Sequence, residues 1–122
     1  KKKKTTGLNF LQDIIHTVSM TLINRDTGEL GKTLVLPIDH KDAKLSYRIK
    51  GKFMKFVCDV MSNQNNRKIL QNAGFDLKFL RRYGVEKVYN IFDTKLLQHL
   101  YKEDVPKSLA DLVYYYFPEE KF

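Results

Sequence analysis

Residues 69–85 read ILQNAGFDLKFLRRYGV, and this stretch decides how the rest of the chain is read. Its apolar beginning, with Lys68 in front, is a short strand, and QNAG is a turn. In FDLKFLRRYG that follows, Phe75, Phe79 and Leu80 recur at helical spacing with Leu77 at the margin, while Lys78, Arg81 and Arg82 form a basic face. Gly84 stands where a helix ends in the left-handed conformation.

Working outward, HTVSMTLIN alternates Val18, Met20 and Leu22 with Thr17, Ser19 and Thr21, the period of a strand with one buried face. The turn formers RDTGELG and a second strand, KTLVLPI, with Leu34 and Leu36 on one face, complete a hairpin. DHKDAKLSYRIKG is polar and irregular and reads as a loop. From Lys52 to Ser62, Phe53, Phe56, Val57, Val60 and Met61 define the apolar face of a helix. Downstream, VYNIF is extended and Asp93 caps a helix over Thr94–Tyr101 with Leu96, Leu97 and Leu100 facing in. Ser108 with Asp111 resembles a capping box opening a last helix that runs to Phe117 and stops at Pro118. The order hairpin, helix, strand, helix, helix, helix predicts a mixed α/β fold in one domain, residues 1–122.

Hydrophobic content of 43% and charged content of 30% are those of a globular chain, with no apolar run approaching a membrane span. The net charge of +8 suits a polyanionic partner, although four of those charges are the opening lysines. Cys58, the one cysteine, sits among Val57, Val60 and Met61 and reads as a small core residue, which excludes an intramolecular disulfide. His16, His40 and His99 lack metal-ligand spacing, which argues against zinc.

The segments ILQNAGFDLKFLRRYGV, NIFDTKLLQHL and SLADLVYYYF together resemble the DEDD-type 3′–5′ exonuclease family, which includes the proofreading domain of family A DNA polymerases and ribonuclease D. The family's pattern falls on Asn72, Asp76, Tyr83-Gly84-Val85, Phe92-Asp93-Thr94 with Leu96, and Ser108-Leu109 with Leu112. Its first motif, D-x-E-T-T-G-L, is matched in its latter part by Thr5-Thr6-Gly7-Leu8. The resemblance implies a ribonuclease H-like mixed sheet with flanking helices, incomplete here at its first strand. Gln71 stands where relatives commonly have His.

Such enzymes hydrolyse phosphodiesters with two Mg²⁺ or Mn²⁺ ions held by clustered carboxylates. The resemblance makes Asp76 a metal ligand and places Asn72, Leu8 and Thr6 against the substrate strand, a single-stranded DNA 3′ end, with RNA also open. It also implies a polymerase domain or a neighbouring chain that completes the sheet, no membrane, and the cytoplasm of a bacterial or phage-infected cell. The first motif's acids align with Lys2 and Lys4, and the last motif would follow Phe122, so three of four carboxylates are missing and this chain is expected to be inactive. Two readings of KKKK stay open: a solvated tail or artefact replacing the strand, or an ammonium that takes the metal's place beside Asp76. A non-catalytic nucleic-acid-binding or assembly module is the alternative function. Asp93 reads as a cap rather than a ligand, and Tyr114, Tyr115 and Tyr116 cannot all face one groove.

Overall fold

The computed structural model describes residues 7–120. The chain folds in the order β1 (Thr17–Ile23), β2 (Leu30–Pro37), α1 (Tyr47–Ser62), β3 (Lys68–Leu70), α2 (Ala73–Arg82), β4 (Ile91–Asp93), α3 (Thr94–Tyr101) and α4 (Leu109–Tyr116). This is the mixed α/β arrangement expected, with its strands divided between two small sheets. β1 and β2 pair antiparallel with Val18 opposite Leu36 and Met20 opposite Leu34; β3 and β4 pair parallel with Ile69 opposite Phe92 and Leu70 opposite Asp93. The parallel pair needs the crossover that α2 supplies.

One core joins the hairpin to the helices. Leu36 and Ile38 from the end of β2 meet Met54, Val57 and Met61 of α1, Leu80 of α2, and Val85, with Val18 and Met20 packed at the margin. Val57 and Val85 are the most deeply buried of these. The period-two pattern is therefore realised where β1 and β2 approach α1. It fades at the hairpin tip, where Leu22 and Leu30 are exposed.

Three expectations need correction. Helix α1 starts at Tyr47, five residues before Lys52, because Ser46 accepts a hydrogen bond from the Ile49 N–H and caps it. Its buried face carries Met54, Val57 and Met61, with Phe53 at the edge of the core and Phe56 exposed. Leu96, Leu97 and Leu100 do not face in: they are exposed, Leu100 to 82%, and the buried residue of α3 is Gln98. Gln98 accepts a hydrogen bond from the Tyr116 hydroxyl at 2.7 Å, which docks α4 on α3.

Buried Lys68 donates to the carbonyls of Asn63 and Tyr89, tying the end of α1 to the approach to β4; burial lowers its pKa. Tyr83, beyond α2, accepts from the Ile15 N–H at 3.0 Å and donates to Asp39, which also pairs with Lys50. Cys58 is half-buried and donates its thiol to the Gly84 carbonyl.

Candidate nucleic-acid and metal site on helix α2

Helix α2 begins where β3 ends, and the chain turns into it through Asn72, whose φ of 58° and ψ of 53° lie in the left-handed region. Asn tolerates that conformation better than any residue but Gly. As the N-cap it would ordinarily offer its own side chain to the first helical N–H groups, but the Asn72 amide makes no cap hydrogen bond. The capping acceptor comes from Asp93 at the end of β4. Its carboxylate accepts from the Asn72 N–H at 2.9 Å, the Ala73 N–H at 2.8 Å and the Lys95 N–H at 2.9 Å. One carboxylate thus caps α3 and, across the parallel pair, closes the turn into α2.

Asp76 lies on the first turn of α2, four residues from Asn72, so the two side chains project from adjacent turns. Its carboxylate is exposed and makes no hydrogen bond or ion pair with the described residues. Partial desolvation against the surrounding protein and the nearby Asp93 charge both raise its pKa. Asp93 is shifted the other way. Burial opposes its charge, but the N–H donors of Ala73, Lys95, Asn72 and Leu96 outweigh burial and lower its pKa.

The structure brings Asn72 and Asp76 together and adds Asp93, which the sequence identified only as the cap of α3. Nothing in the sequence reveals that Leu70 pairs with Asp93 across β3 and β4, and this register is what carries Asp93 to α2. Leu8 is 72% exposed in the N-terminal segment. The turn that follows is held against α2 by Arg82, which donates to the carbonyls of Phe10 and Asp13, and by Lys78 over the Phe10 ring at 5.7 Å. Arg82, though exposed, is therefore also a structural clamp. Thr6, Lys2 and Lys4 lie outside the described residues.

Among the described residues no group of three His, Cys, Asp or Glu could hold a metal ion. Asp76 is a single carboxylate, and one carboxylate does not make a two-metal site. A surface groove of about 400 Å³ lies elsewhere, between α3 and α4, lined by residues such as Leu97, Leu109, Val113 and Phe117. It holds no carboxylate or cation and offers nothing for phosphate or metal.

The chain matches the 3′–5′ exonuclease family over residues 11–121 and belongs to that family. Its fold is accordingly an incomplete ribonuclease H-like α/β arrangement, and the family's substrates are nucleic acids. No curated protein and no solved structure matches it. No helix among the described residues is long and apolar enough to cross a membrane.

Proposed function

We propose that this chain is part of the metal-dependent proofreading exonuclease domain of a bacterial or phage DNA polymerase and acts in the cytoplasm on the 3′ end of single-stranded DNA. Asp76 is the metal ligand, and Asn72, Thr6 and Leu8 contact the terminal nucleotides. The observation that carries this reading is the pair Asn72 and Asp76 one turn apart at the start of α2, with the Asp76 carboxylate unengaged by any described residue, inside a segment matched by the exonuclease family. With no described residue donating to it, the Asp76 carboxylate has all its lone pairs available to a cation.

Alone, the chain is inert. With lysines at positions 2 and 4, it offers one suitable carboxylate where hydroxide generation and leaving-group stabilisation call for several. Incubated with single-stranded DNA and Mg²⁺, it should release no mononucleotides, and robust release that disappears in Asp76→Ala would overturn the claim of inertness. Binding without cleavage suits the other reading, a scaffold retained for nucleic-acid binding or assembly. The favouring observation is the lack of any three-ligand group among the described residues. Salt-dependent DNA binding that survives removal of residues 1–4 supports that role, and binding that vanishes with them reduces it to lysine attraction.

A further inference from the structure

The arrangement around Asn72 poses a question of supply and use. An N-cap asparagine whose side chain does no capping leaves the helix start to be satisfied from elsewhere, and the donors Asn72 N–H and Ala73 N–H are both taken by Asp93. A left-handed non-glycine residue persists only where its surroundings hold it. Those surroundings include the Phe75 N–H, which donates to the Asn72 carbonyl at 3.0 Å, and one side chain, the Asp93 carboxylate, which also caps α3 through Lys95.

We infer that Asp93 is a positioning residue: by taking over the cap of α2 it holds Asn72 in the left-handed conformation and leaves the Asn72 amide free to hydrogen-bond a nucleic-acid strand beside Asp76. The inference rests on the reading of Asn72 and Asp76 as a nucleic-acid site. An amide carries two donors, which can meet a phosphate oxygen, and an acceptor, which can meet the 3′-hydroxyl of a strand; an Asn72 that capped its own helix would spend that acceptor on Gly74 or Phe75. Asp93 itself touches neither strand nor ion, because its oxygens are filled by backbone N–H groups from two helices.

Two variants separate the functions of that carboxylate. Asp93→Asn retains an acceptor for Lys95 but turns an NH₂ toward the Ala73 N–H; Asp93→Ser is a good cap for α3 and too short to reach α2. The probe is a short oligodeoxythymidylate with a free 3′-hydroxyl, followed by fluorescence anisotropy and by the side-chain amide resonances of Asn72. Hairpin and α1 resonances report whether each variant stays folded, and the serine variant serves if the asparagine one does not.

In the wild type the oligonucleotide should shift the Asn72 amide signals, and Asn72→Ala should weaken binding about tenfold, the effect of losing a hydrogen bond to a charged group. Asp93→Ser should weaken binding as much and abolish the Asn72 shift, and adding Asn72→Ala to it should cost nothing more. A merely structural Asp93 would give additive losses. Wild-type affinity in a folded Asp93→Ser variant, while Asn72→Ala weakens binding, overturns the positioning role alone. If the wild type does not bind, or binds equally well after Asn72→Ala, the site reading fails and this inference falls with it.

Discussion

An aspartate on the first turn of a helix ordinarily gains from the helix dipole, yet Asp76 is pushed toward its neutral form by desolvation and by Asp93. With its folded-state pKa above the unfolded value of about 3.9, the charged carboxylate costs stability at neutral pH. Asp76→Asn should therefore stabilise the chain at about pH 7. The gain should shrink as the pH falls through the raised pKa and be gone below the unfolded value, as urea midpoints across that range would show. Destabilisation at neutral pH would mean that the carboxylate makes a favourable contact in the free chain. Asp93 has the opposite sign: its contribution is present above the ordinary aspartate value and is lost as the pH falls through its lowered pKa. Asp93→Ala should cost about 1–3 kcal/mol in denaturant unfolding at neutral pH, through a lost cap and unsatisfied N–H groups. Asp76 and Asn72 stand out in the sequence only through its resemblance to the exonuclease family. The second duty of Asp93 was not legible, because it depends on a pairing between strands of three residues each, separated by a helix.

At the scale of elements, caps were read well and faces less well. Asp93, Gly84 and Ser108 mark boundaries through local chemistry, and each occupies its expected place: Asp93 accepts from Lys95 N–H, Ser108 from Asp111 N–H, and Gly84 has a φ of 100°. The start of α1 was hidden because Gly51 and a run of cations interrupt the apolar period, while Ser46 gave a signal that could have been used. Helical period tells which residues share a face but not whether another element covers it, and this is why the leucines of α3 were misplaced. With Leu100 82% exposed, Leu100→Ala should change stability by no more than about 0.5 kcal/mol in chemical denaturation, whereas a core leucine would cost about 2–5 kcal/mol. Tyr83 makes the reverse case: it matched a family position, and in the fold it links α2 to both ends of the hairpin through Ile15 and Asp39. Tyr83→Phe strands the Ile15 N–H and should cost about 1–2 kcal/mol by the same measurement.

Across the whole molecule, two short sheets share one core, and the elements that shape the candidate site converge on the ends of β3 and β4. The α/β class and the order of elements were legible because hairpin, crossover and capped helices each carry local signals. The division into two sheets was not, since pairing partners are set by contacts distant in sequence. The net charge of +8 favours polyanions without fixing where they bind. What distinguishes this chain is that one end of α2 presents an amide and a carboxylate with no hydrogen-bond partner among the described residues, while the other end is bound to the N-terminal turn through Arg82. The most direct test of that account is a titration with Mn²⁺ monitored by paramagnetic broadening. The account predicts weak, single-ion broadening centred on Asp76 and abolished by Asp76→Asn; two tightly held ions, or broadening centred away from Asp76, would contradict it.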